Sequence, residues 1–183
     1  MLADLLTGLR LALIAPMFWS LVSPAVAPDW LPALILVLAI ASDYFDGVVA
    51  RAQGTASARG QLFDHSSDFL FVTINLGALA YTGLISFLLP LLIIVAFSQY
   101  VLDSRFLHRM KSLRMSFLGR WNGIVYFGPL VLVGVGRLQV SGDFSALLFS
   151  LAVLLSQLLI LSTLISIADR AVAPARSQNP PEL

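Results

Sequence analysis

Four aspartates fall within twenty-six residues of this chain: Asp43, Asp46, Asp64 and Asp68. Asp43 and Asp46 are spaced i, i+3, and Asp64 and Asp68 are spaced i, i+4, so on helices each pair occupies one face. A polar connector of ten residues, 51–60, separates them. It is short enough to make the two helices antiparallel neighbours whose carboxylates converge. Carboxylates held that close repel one another unless something positive intervenes, and the natural counter-charge is a hard divalent cation, since Mg²⁺ and Ca²⁺ favour oxygen ligands. Two such ions ~3.5–4 Å apart suit in-line displacement at phosphorus. Zinc does not fit, because the chain has no cysteine and neither His65 nor His108 has a second histidine at zinc spacing. The plainer alternative is that the acids are solvated helix ends. Two face-matched pairs across one short loop argue against it.

Small residues accompany the acids. Gly47 and Ala50 follow Asp43 at i+4 and i+7, and Gly60 precedes Asp64 by one turn, all on the carboxylate faces. They leave a hollow where a planar ring or a pyrophosphate can approach, although each glycine alone reads equally as helix packing. Arg51, one turn beyond Asp46 and Gly47, suits a phosphate or carboxylate partner; snorkelling to the interface is its simpler role.

The elements that position these residues are membrane helices. Of 183 residues, 58% are hydrophobic and 11% charged, and mean hydropathy is +0.90, where a soluble domain carries about a quarter charged residues. That composition excludes disorder, and a net charge of +1 argues against broad binding of nucleic acid. Charges cut the chain into uncharged runs of 18 residues (11–28), 34 (69–102), 16 (121–136) and 25 (144–168). A run of 34 helical residues would extend about 51 Å, beyond a ~30 Å hydrocarbon core, so it must fold back, with Tyr81-Thr82-Gly83 and Pro90 offering the break. Six spans follow, near 9–26, 30–50, 61–82, 84–104, 119–138 and 145–168. The expected fold is all-α and polytopic: one six-helix domain over 1–170 and a flexible, proline-bearing tail over 171–183.

With both termini cytoplasmic, ten of the eleven basic residues (Arg10, Arg51, Arg59, Arg105, Arg109, Lys111, Arg114, Arg120, Arg170 and Arg176) lie inside and only Arg137 outside. Trp19, Trp30 and Trp121 sit near predicted interfaces, as aromatic belts require. Ala25-Val26-Ala27 imitates a signal-peptide cleavage site, but Pro28 directly after it and Asp4 before the apolar run favour a retained first helix.

Together the motif residues read Asp43-x-x-Asp46-Gly47-x-x-Ala50-Arg51-x8-Gly60-x3-Asp64-x3-Asp68. This resembles the signature of the CDP-alcohol phosphatidyltransferase family at all eight defined positions. The six-span layout, with the motif on the second and third spans, resembles that family's architecture. Asp4-x-x-Thr7-x-x-Arg10 is similar to a shorter family element usually led by Asn; Asp4 departs from it, and no site role follows for this stretch. The resemblance implies transfer of a substituted phosphoryl group from a CDP-linked donor to an alcohol, releasing CMP. It also implies Mg²⁺ or Mn²⁺, two ions, on Asp43, Asp46, Asp64 and Asp68, with Asp68 as general base and Gly47, Ala50, Arg51 and Gly60 lining the CDP pocket. The partners implied are membrane lipids, a CDP-linked lipid and an alcohol, with a homodimer as a family trait. The setting is a bacterial inner membrane, the site facing the cytoplasm.

The acceptor is less defined. Arg105, His108, Arg109, Lys111, Arg114 and Arg120 crowd into sixteen residues. They suit either an anchor on anionic headgroups or a pocket for a phosphorylated acceptor such as glycerol 3-phosphate or inositol phosphate, with Arg105, Arg109 and Arg120 nearest the helices. Phe63-Asp64-His65 resembles instead the choline/ethanolamine branch, in which a soluble CDP-alcohol donates and diacylglycerol accepts. A reading from another class is a cation transporter, but transporters place such acids near the midplane and show internal repeats. Here the acids lie at one face, and no repeat relates 1–90 to 91–183.

Overall fold

The computed structural model describes residues 2–52, 58–102 and 117–176, with side chains over 7–45, 63–102 and 119–171. The described residues form helices α1 (Leu2–Val22), α2 (Leu31–Ala52), α3 (Ala58–Tyr81), α4 (Leu88–Leu102), α5 (Phe117–Val125), α6 (Phe127–Gly136) and α7 (Gly142–Arg176), and no strand is found among them. Each of the six expected spans coincides with one helix or, for 119–138, with the α5–α6 pair. Helix α7 runs to Arg176, six residues into the stretch expected as a tail.

Local chemistry explains the breaks. α3 stops where Gly83 adopts φ 80°, open to glycine and strained for other residues. The Leu84 amide donates to Leu79 O and the Gly83 amide to Ala80 O, the paired bonds of a Schellman cap. Pro90 then falls in the first turn of α4, where its missing N–H costs nothing, so the helix resumes at Leu88 rather than Leu84. The fifth span is divided at Tyr126. Pro129 lacks the N–H that Val125 O would accept, and its ring crowds that carbonyl, so α5 ends there. The Tyr126 hydroxyl shares a 2.7 Å hydrogen bond with Thr163 Oγ1 of α7, and Ser162 Oγ donates to Asn122 Oδ1 at 2.7 Å, which together tie the broken helix to its neighbour.

α1 packs against both α2 and α3, while α7 packs against α4, α5 and α6. Their shared core includes Met17, Leu36, Phe71, Leu76, Leu89 and Leu130. Large apolar side chains also point outward, among them Val37, Leu91, Leu154, Leu158 and Ile165, a surface suited to lipid rather than water. Within α7, Gly142–Ala171 is long and apolar enough to cross a membrane, alone among the described residues; Thr7–Val22, Leu31–Phe45 and Leu88–Leu102 are shorter apolar helices.

Arg137, the base that charge counting places outside, fastens one end of the bundle. It is buried at the C-terminal end of α6 and donates to Ser20 O, to Pro24 O (3.3 Å), to Ala27 O (3.2 Å) and to Asp29 Oδ1 (3.3 Å). These carbonyls belong to the end of α1 and the turn into α2, where helix carbonyls lack intrahelical partners and favour a cation. Arg137→Met removes the donor and leaves buried acceptors unpaired, at a cost on the order of 3 kcal/mol. Thermal unfolding of the detergent-solubilised variant should show a clearly lowered Tm; an unchanged Tm would contradict this role.

Candidate active site

Of the four acids expected to converge, Asp43, Asp64 and Asp68 do so through a third helix. Arg10 of α1 has a fully buried side chain, with Asp43 of α2 and Asp64 and Asp68 of α3 around it. Its NH2 donates to Asp43 Oδ1 at 2.9 Å. Its NH1 donates to Asp64 Oδ1 at 2.9 Å, Ser67 Oγ at 3.1 Å and Asp68 Oδ1 at 2.5 Å. Ser67 is buried and donates in turn to Asp64 O at 2.8 Å, which fixes its hydroxyl as an acceptor toward Arg10. The i, i+4 spacing of Asp64 and Asp68 puts both on one face of α3, and Ser67, at i+3 from Asp64, shares it.

The carboxylates stay partly open. Side-chain exposure is 53% for Asp43, 30% for Asp64 and 28% for Asp68, while Arg10 has none. They open onto a cavity of about 1030 Å³. Its polar wall carries Asp43, Asp64, His65, Asp68, Arg120 and Arg170, and its apolar wall includes Ile40, Val72, Ile93 and Phe97. Tyr100 sits beneath Arg170, whose guanidinium carbon is 5.4 Å from the ring centroid, within cation–π range.

These residues fit a divalent cation. One ligand atom each from Asp64, His65 and Asp68 lie within 4.8 Å of one another, and the two carboxylates are the ligand type that Mg²⁺ or Mn²⁺ takes.

Of the residues singled out by pattern, Asp43, Asp64 and Asp68 come together, and Arg120 lines their cavity. Asp46, Gly47, Ala50 and Arg51 lie on the last turns of α2 and Gly60 on the first turn of α3, with side chains outside the described residues. Arg105 and Arg109 lie outside the described residues altogether. Pattern gives no site role to Arg10, Ser67 or Arg170. Arg10 carried a signal, as the last residue of the Asp4-x-x-Thr7-x-x-Arg10 element; Ser67 and Arg170 carried none.

The described residues thus gather carboxylates of α2 and α3 beside a cavity with both polar and apolar walls. The model of the CDP-alcohol phosphatidyltransferase family matches residues 1–161, and the chain belongs to that family. No curated protein and no solved structure matches it. Family members are phosphotransferases of phospholipid biosynthesis that transfer a phosphatidyl group from a CDP-alcohol to an alcohol; they are generally dependent on divalent metal and typically integral to membranes. Membership therefore makes this chain a transferase rather than a cation carrier.

Asp64→Asn and Asp68→Asn should each weaken Mn²⁺ binding by at least ~10-fold, measured as free Mn²⁺ by electron paramagnetic resonance. Asp29→Asn, beside Arg137 at the other end of the bundle, should leave it unchanged. Equal effects at both ends would remove the cluster's claim to be the metal site.

Proposed function

We infer that the chain transfers a phosphatidyl group from CDP-diacylglycerol to an alcohol, releasing CMP. The observation that carries this reading is the cavity itself, where carboxylates and arginines face an apolar wall. A nucleotide diphosphate needs the first lining and acyl chains need the second. A soluble CDP-alcohol donor with diacylglycerol as acceptor would use the same two walls in reverse, and the assay below separates the two.

In this reading Asp43, Asp46, Asp64 and Asp68 hold the metal, two ions in all. When bound, Mg²⁺ or Mn²⁺ supplies charge neutralisation to the pyrophosphate and to the departing CMP. Asp68 accepts the proton of the acceptor hydroxyl, whose oxygen attacks the phosphorus that bears the diacylglycerol. A new P–O bond forms there, the bond to the CMP phosphate oxygen breaks, and the proton passes from Asp68 to solvent. Its place on the cavity wall, with 28% exposure, supports that role. Gly47, Ala50, Arg51 and Gly60, at the helix ends adjoining the carboxylates, border the cytidine and its phosphates. Arg105, Arg109 and Arg120 bind a phosphorylated acceptor, for which the position of Arg120 beside the carboxylates is the support.

The setting we propose is a six-span protein of a bacterial inner membrane, both termini and the site facing the cytoplasm, with a homodimer as the assembly. The outward apolar side chains and the partition of Arg and Lys support it. The domain spans 1–170 and the tail 171–183.

Purified protein with Mg²⁺ or Mn²⁺ should release CMP from CDP-diacylglycerol with one member of a panel of alcohols. Release only from a soluble CDP-alcohol with diacylglycerol would reverse the donor assignment, and no turnover with any pair would reject the reading. Asp68→Asn should lower kcat by about 10²–10⁴-fold while donor binding persists; loss of both makes Asp68 chiefly a metal ligand. Arg105→Gln with Arg109→Gln should raise the acceptor KM selectively. An unchanged KM assigns that segment to lipid headgroups.

A further inference from the structure

Arg10 lies outside the eight-position motif, on a different helix, yet every carboxylate described in the motif bonds to it. Its hydrogen bonding is lopsided. NH1 has two hydrogens but faces three acceptors, the Oδ1 atoms of Asp64 and Asp68 and the hydroxyl of Ser67. Nε is buried with no hydrogen-bond partner. A guanidinium placed for hydrogen bonding alone would use its fork, two parallel N–H groups on one carboxylate. This one instead sits as a positive centre among separate carboxylates, one oxygen from each, which is how acidic ligands gather round a cation.

We propose that Arg10 is the resident counter-cation of the carboxylate cluster: it holds Asp43, Asp64 and Asp68 together when no divalent ion is bound, and it competes with that ion for their negative charge. The proposal rests on reading the cluster as the divalent-cation site. An entering ion meets like charge from a guanidinium that water does not screen, among carboxylates whose negative charge that guanidinium already partly neutralises. Arg10 thereby sets the ion affinity of the site from α1, outside the motif, and confers on the cluster a stability that does not depend on metal.

The test uses the full chain in detergent, stripped with EDTA and titrated with MnCl₂, following Tm and free Mn²⁺ together. After EDTA, R10Q should melt below the wild type, because its carboxylates face one another without a cation. Its half-saturating Mn²⁺ concentration should lie about ten-fold or more below the wild-type value once the competing charge is gone. Mn²⁺ should also raise its Tm further than it raises that of the wild type. R10K keeps the charge but loses the fork, and its midpoint should fall between the two. A midpoint for R10Q equal to or above the wild-type value overturns the proposal and makes Arg10 a support of the ion site rather than its rival. Should R10Q fail to fold even in Mn²⁺, R10K decides: a lower midpoint than wild type supports competition, an equal or higher one overturns it. If the underlying reading is wrong the pattern differs, since the wild type itself then neither binds Mn²⁺ nor gains stability from it, and the proposal falls with that reading.

Discussion

A guanidinium sealed from water inside a helical bundle survives only if negative charge comes in with it, and that requirement organises one end of this molecule. Arg10 is fully buried and paired with carboxylates from two other helices. Removing one partner of a buried ion pair typically costs about 3–5 kcal/mol, because the other charge is left uncompensated. α1 must therefore lie where α2 and α3 can both reach Arg10. That position also holds Asp43, Asp64 and Asp68 in one constellation while leaving each partly open to the cavity. The ion pairs that fix the helices thus leave the same carboxylates facing the cavity.

The opposite end uses the same physics with other partners. About 15 Å along α1 from Arg10, Arg137 gathers main-chain carbonyls from the end of α1 and the turn into α2. One buried arginine is paired with acids that also line the larger cavity. The other is absorbed by backbone dipoles, with Asp29 as its acid partner. A second cavity, of about 810 Å³, adjoins Arg137 and Asp29, but it has no gathered carboxylates. The chemical asymmetry of the bundle is the asymmetry between these two arginines.

Much of this was legible in the sequence because membrane helices leave strong marks. Uncharged runs and their polar borders place a helix, or the α5–α6 pair, at each expected span, although α1 begins seven residues earlier and α7 ends eight later than expected, and the spacing of Asp43, Asp64 and Asp68 brings them together. The rest depended on tertiary context. Pro129 breaks the fifth span at Tyr126, yet a proline in an apolar run does not announce whether its helix bends or divides. Pro90 looked like an interruption and is harmless, because the preceding Schellman cap delays α4 until proline falls in its first turn. Arg10 looked like one more cytoplasmic anchor, since charge counting gives a base its side of the membrane but not its neighbours. Only the packing of α1 against both motif helices reveals it as the centre of the cluster.

The proposed function places the reaction of a CDP-linked substrate at this cluster and not in the cavity beside Arg137. An experimental structure of the full chain with CMP and Mn²⁺, with the metal located by its anomalous signal, tests that most directly. The account predicts Mn²⁺ among Asp43, Asp64 and Asp68 with the CMP phosphate beside it. CMP seated against Arg137 and Asp29, or Mn²⁺ bound away from the three carboxylates, would contradict it.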